Sequence, residues 1–136
     1  MQRFILLAAV IFTPVQEAPT FDPYPACKVK RFIYPSHDGD TIWAEVWQQF
    51  GTISYIEIRP NGYNAAETNK GHKDIAEKEK QDFMGVLKNA DEAWIKWTGK
   101  RSFTRYVCDL WVIQDGKATN IAVIMKAKGD DHPWGY

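Results

Sequence analysis

Residues 53–62 read Ile53-Ser-Tyr-Ile-Glu-Ile-Arg59-Pro60-Asn-Gly62. Ile56 and Ile58 share one face and Tyr55, Glu57 and Arg59 the other, the two-residue period of a half-buried strand. Arg59 ends that strand, facing a pocket or solvent. Pro60 donates no ladder hydrogen bond and Gly62 accepts positive φ, so pairing stops there. After a loop to about Gly71 the period changes. From His72 to Ala90 there is no Pro, and Ile75, Ala76, Phe83, Val86, Leu87 and Ala90 fall on one helical stripe, with Lys73, Glu77, Lys80 and Lys88 mostly elsewhere. A strand followed by a helix at this point in the chain decides the fold class.

Working outward, Cys27 to Tyr34 is rich in β-formers and Pro35-Ser-His-Asp-Gly-Asp40 supplies turn residues. Thr41-Ile-Trp-Ala-Glu-Val-Trp47 then resumes strand character, so the whole reads as a hairpin. Beyond the helix, Ala93-Trp-Ile-Lys-Trp97 and Tyr106 to Ile113 are two more β-rich runs, the second ending in the tight-turn signal Gln114-Asp-Gly-Lys117. Thr119 to Lys128 reads either as a last strand or as a helix that Asn120 starts and Gly129 stops. Three strands, a helix, two strands and a terminal helix match the five-stranded Greek-key barrel called the OB-fold. The expected class is therefore α+β, mainly β, with a helix between strands 3 and 4 and another at the C-terminus. Such barrels bind oligonucleotides and oligosaccharides, but a fold assigns no function by itself.

The 136-residue chain is 45% apolar and 25% charged, which suits one domain and excludes disorder throughout. Seventeen Lys and Arg balance seventeen Asp and Glu, so no global positive field attracts nucleic acid or anionic membrane. Polyanion binding needs a local patch. Cys27 and Cys108 lack C-x-x-C spacing, which leaves one long-range disulfide or two buried thiols. Residues 1–26 combine a cationic start, an apolar run from Phe4 to Phe12 and a Pro-rich lead-in. The run is too short to span a membrane. It reads as a secretory signal over residues 1–18, making the protein secreted or periplasmic, or as a first strand or anchor of a cytoplasmic protein. The folded domain is expected at residues 27–136, as a monomer.

Asp38-Gly-Asp40-Thr41 puts two carboxylates around a Gly where a strand starts. Oxygen ligands there can hold a hard cation, although an ordinary polar turn has the same composition. Arg59 with Asn64-Ala-Ala-Glu67 puts a guanidinium, an amide and a carboxylate around one loop; Glu67 read alone would cap the following helix. Lys100-Arg-Ser-Phe-Thr-Arg105 is a basic, aromatic turn before a strand. Lys100 and Arg101 supply a local patch for a phosphate backbone, and Phe103 and Trp134-Gly-Tyr136 are the candidates for base stacking. Trp94, Trp97 and Trp111 read as core packing. His37, His72 and His132 have no metal-ligand spacing and read as surface or turn residues.

Taken together, Asp38-Gly-Asp-Thr41, Arg59 with Glu67 eight positions on, and Arg105 before an apolar strand resemble the thermonuclease family, typified by staphylococcal nuclease. Asp115-Gly-Lys117 followed by Thr119-Asn120 adds to the resemblance, which spans roughly Cys27 to Lys128. It implies an OB-fold enzyme that hydrolyses DNA and RNA phosphodiesters with calcium and leaves 3′-phosphate ends. Carried over by motif, it implies Asp40 as main metal ligand, Asn64 and the Ala65 carbonyl as further ligands, and Asp38 in the metal's outer shell. It also implies that Glu67 holds or deprotonates water while Arg59 and Arg105 grip the phosphate. The residue types suit that chemistry. A diester anion repels a nucleophile until a cation and bidentate donors neutralise it, and a carboxylate can then take water's proton. Two positions depart from the family. Asn64 stands where most members have an Asp, which removes a negative charge from the calcium site, and Ala66 stands where a Pro precedes the Glu. The alternative expectation is an OB-fold nucleic-acid-binding module that has lost turnover.

Overall fold

The computed structural model describes residues 22–136; the signal reading of residues 1–18 lies outside the described residues. The elements follow in the order β1 (Cys27–Asp38), β2 (Thr41–Trp47), β3 (Ile53–Pro60), α1 (Lys73–Asn89), β4 (Glu92–Ser102), β5 (Arg105–Gln114), β6 (Lys117–Asn120) and α2 (Ile121–Ala127). Antiparallel ladders join β1 to β2 and β4, β2 to β3, and β4 to β5. A short parallel ladder, with Ile58 opposite Tyr106 and Pro60 opposite Cys108, links β3 to β5 and closes the sheet on itself. The result is a closed five-strand mixed barrel of OB-like form, mainly β with helices, as the sequence pattern predicts.

The ambiguous C-terminal segment is strand and helix in turn. β6 is an extra strand that extends β5 through a tight turn in which Asp115 and Gly116 both have positive φ. Asn120 ends it and caps α2, its side-chain oxygen accepting from the Ala122 N–H at 2.9 Å. Gly129, with φ 80°, follows the helix end.

Val29, Ile42, Ala44, Val46, Ile58, Ile95, Leu110 and Val112 fill the barrel, and Phe83 and Leu87 of α1 join the same cluster with Ile121 and Met125 of α2. Each large apolar side chain so buried contributes ~1.5–3 kcal/mol, which is what holds both helices against the sheet. Two residues of α1 depart from its apolar pattern. Ile75 is exposed, whereas Glu79, between Ala76 and Phe83 on the inward stripe, is only 1% exposed. Trp97 packs on the core as expected, but Trp94 and Trp111 do not belong to it. They sit opposite each other across β4 and β5, lining a shallow apolar hollow with Ala26 and Ala118. Cys27 and Cys108 are free thiols, and burial pushes Cys108 up to about 12, so it is packed and unreactive. No described helix is long and apolar enough to cross a membrane.

Candidate functional site

Barrel closure decides which polar residues meet. The parallel ladder sets Arg59 beside Val107 and Ile58 beside Tyr106, which brings the end of β3 against the start of β5 and so against Arg105. Ile42 opposite Ile58 delivers Thr41 to the same end. Arg105 donates from Nη1 to the Thr41 hydroxyl at 2.9 Å, and from Nε and Nη2 to the Ser102 carbonyl and hydroxyl at 3.2 and 2.8 Å. The Thr41 hydroxyl donates to Asp40 Oδ1 at 3.4 Å. Arg59 Nη2 lies 3.4 Å from Asp40 Oδ2 and 2.8 Å from Asn64 Oδ1. The Ala65 N–H donates to Asp40 Oδ2 at 3.0 Å, and the Asp40 N–H to Asp38 Oδ1 at 3.1 Å. Asp38, Asp40, Asn64, Ala65, Arg59 and Arg105 therefore belong to one connected corner.

The turn between the two aspartates needs its glycine for space. A Cβ at Gly39 would come within 2.8 Å of the Ala65 Cβ and 3.2 Å of the Glu79 backbone. Tyr63 fastens the same turn, its hydroxyl donating to the Gly39 carbonyl at 2.7 Å. Both aspartates are buried. Burial first, then the neighbouring Asp38 carboxylate, push Asp40 up to about 7 against the opposing pull of Arg59 and the Ala65 N–H. One guanidinium does not offset two carboxylates out of water.

That excess of negative charge would welcome a cation, but the oxygens of Asp40 and the Asn64 side chain already face other groups. Among the described residues no three His, Cys, Asp or Glu converge to hold a metal. Asp40 faces Thr41, Ala65 and Arg59, and the Asn64 side-chain oxygen Oδ1 faces Arg59. A guanidinium stands where calcium would need oxygen ligands, so in this arrangement the donor set does not fit the calcium that the resemblance implies.

The remaining sequence candidates lie outside that hydrogen-bonded set. Glu67 is half-buried and bonded through its carbonyl to the Lys70 N–H at 3.3 Å. It does not cap α1, whose N-cap position is His72. Lys100 and Arg101 are exposed beside the β4–β5 turn, with Arg101 lying 4.3 Å over the Tyr106 ring. Phe103, at that turn's tip, is 90% exposed, and the Arg105 guanidinium lies 6.0 Å from its ring.

Sequence reading missed the group that covers the corner. His132 is no free surface residue: its Nε2 lies 2.6 and 2.8 Å from the two Glu79 oxygens, so that nitrogen donates. Glu79 Oε1 also accepts from the Ala66 N–H at 2.9 Å, which is how a carboxylate comes to sit on the inward stripe of α1. Asn64 is engaged on every polar atom. Its N–H donates to Asp131 at 2.9 Å, its carbonyl accepts from the His132 N–H at 2.8 Å, and its Nδ2 donates to the Pro133 and His132 carbonyls at 2.8 and 3.3 Å. Nor are Trp134 and Tyr136 free stacking platforms. Tyr136 lies between the His72 and His132 rings, with centroids at 3.9 and 4.2 Å, and Trp134 lies over the Arg59 guanidinium at 4.9 Å. The only forewarning was a glutamate among the apolar positions of a helix.

No protein-family model matches this chain, and no curated protein matches it by sequence. The family resemblance therefore rests on the residues quoted above.

Proposed function

We propose that the protein is a nucleic-acid phosphodiesterase of the thermonuclease type, cutting DNA or RNA at the corner where β2, β3 and β5 meet. The observation that carries this reading is the convergence of Asp40, the Arg59–Asn64 segment and Arg105, three places far apart along the chain, on one end of the barrel. Two always-charged guanidinium groups take the non-bridging oxygens of a phosphodiester and offset the charge that grows there during attack. Glu67, on the loop fastened by Ala65 and Ala66, takes the proton of the attacking water. The water oxygen bonds to phosphorus, the bond to the leaving sugar oxygen breaks, and that oxygen gains a proton from solvent.

Cleavage of single-stranded DNA and RNA tests this, measured with calcium, with chelator, and in Glu67→Gln. The expected result is cutting that falls ~10²-fold or more in the variant, as for loss of a general base. Equal cutting by Glu67→Gln overturns the assignment, and the chelator arm decides whether calcium is needed.

A second reading has its own support. Arg59 already holds Asp40 and Asn64 through Nη2, and each Arg105 nitrogen already donates to Thr41 or Ser102. On that reading the barrel binds nucleic acid without turnover, and salt-dependent binding with no cleavage under any metal condition favours it.

A further inference from the structure

Arg59 is covered on both counts that matter to a ligand: only 8% of its side chain reaches solvent, and an aromatic ring lies on its face. We propose that residues 130–136 form a strap closed over the arginine corner, and that an anionic phosphate reaches Arg59 only when the tip of that strap lifts. The proposal rests on the phosphate-binding reading of Arg59 and adds what controls access to it.

The strap has a fixed root and a displaceable tip. At the root, Asp130 accepts from Lys78 Nζ at 2.9 Å and its N–H donates to the Met125 carbonyl at 2.9 Å. His132 is held by buried Glu79. The Asp130 and Glu79 carboxylates are almost wholly buried, so water does not readily replace these partners, although Lys78 itself is largely exposed. The tip is different. Trp134 is 74% exposed, and the contact that places it over Arg59 is a cation–π contact of the weak, solvent-facing class. A phosphate offering charge-assisted, bidentate bonds to the same guanidinium outcompetes a ring of that kind.

Asn64 is the clasp between root and tip, and this gives the family's missing aspartate a physical reason. Its amide nitrogen donates to two strap carbonyls while its oxygen accepts from Arg59. A carboxylate at this position has no donor, and would set lone pairs against the Pro133 and His132 carbonyls. An asparagine side chain holds the strap here, whereas an aspartate side chain would repel those two carbonyls and leave only the backbone bonds of residue 64.

The test measures access to Arg59 directly, by the rate at which phenylglyoxal modifies Arg59 and Arg105, read by peptide mapping of the full chain. The expected result is slow modification of Arg59 in the wild type and modification about five-fold faster in Trp134→Ala, the factor that an exposed cation–π contact corresponds to. Arg105 should react at an unchanged rate. A variant ending at Pro133, which keeps His132 on Glu79, gives a second reading should Trp134→Ala fold poorly, and it should unmask Arg59 as well. Arg59 modified at the wild-type rate in folded variants overturns the strap. Adding a thymidine oligonucleotide in chelator separates the two proposals. Tighter binding to both variants than to the wild type supports the strap and the phosphate reading together. Binding to none of the proteins, with Arg59 unmasked, leaves the strap standing and overturns the nuclease reading. Equal binding to all of them overturns the strap and spares that reading.

Discussion

β2 and β3 run side by side for most of their length, yet their two ends are in opposite conditions. At the Thr41–Arg59 end, charged groups are buried and partnered, and the chain's last residues cover them. On the outward face Trp43 stacks on Tyr55 with ring centroids 4.7 Å apart, and toward the other end Trp47 and Ile53 stand exposed. Phe50, in the 3-10 turn that joins the strands, is almost wholly in water and carries a positive φ. The contrast separates two costs. Water tolerates an apolar ring on a sheet surface, whereas a buried carboxylate or guanidinium must find partners in the protein. The partners at the corner come from three distant segments, so it is the corner, not the aromatic face, that ties the fold together.

If so, breaking the corner should cost much more than breaking the face. Glu79→Ala leaves His132 and the Ala66 N–H without their shared acceptor, and the expected loss of stability is ~3–5 kcal/mol in urea unfolding, as for a broken buried pair. A loss no larger than that of a surface substitution would mean that the strap does not depend on this carboxylate. Asn64→Asp acts on one edge of the same corner. It removes both amide donors to the strap, so protection of the His132 amide from hydrogen exchange should fall by ~1–3 kcal/mol. Unchanged protection there would show that the clasp lies elsewhere.

Asp130 sharpens the comparison through pH. Burial, and then the hydrogen bond with Asp82, push it above the usual carboxylate range to about 6, with Lys78 pulling the other way. A carboxyl raised in the fold stabilises fully below its unfolded value and loses that contribution as pH rises through its folded one. Asp130→Asn should therefore gain on the wild type in urea midpoint as pH rises from about 4 to 8. A gap that stays constant with pH would remove Asp130 from the account. The smallest effect is expected on the open face. Trp43→Ala should cost ~1 kcal/mol or less, since it loses one exposed aromatic pair and leaves no buried group unpaired. A cost similar to that of Glu79→Ala would erase the distinction between the two ends.

Several features were legible because their signals are local. The alternation of Ile56 and Ile58 marked β3, Pro60 and Gly62 marked its end, and Asn120 and Gly129 marked the limits around α2. The Asp-Gly-Asp turn was equally visible, though its glycine serves close packing against Ala65 and Glu79 as well as the turn. Trp94 and Trp111 were misplaced because a tryptophan favours a core and a sheet surface alike, and periodicity alone does not name the covered face. His132 was misread because its partner, Glu79, is 53 positions away.

By itself, the amino-acid order determined most of the strands and the first helix, and singled out Asp38, Asp40, Arg59, Asn64, Glu67 and Arg105 as the candidates for chemistry. Those properties depend on spacings of two to four residues, within reach of local geometry. Only the tertiary structure decided that Arg59 and Arg105 share a corner, that Arg59 occupies the oxygens a metal would want, and that the C-terminus lies over it. Each of those rests on a pairing between distant segments, which the closing β3–β5 ladder and the buried Glu79 fix in space. No local pattern encodes a partner half a chain away.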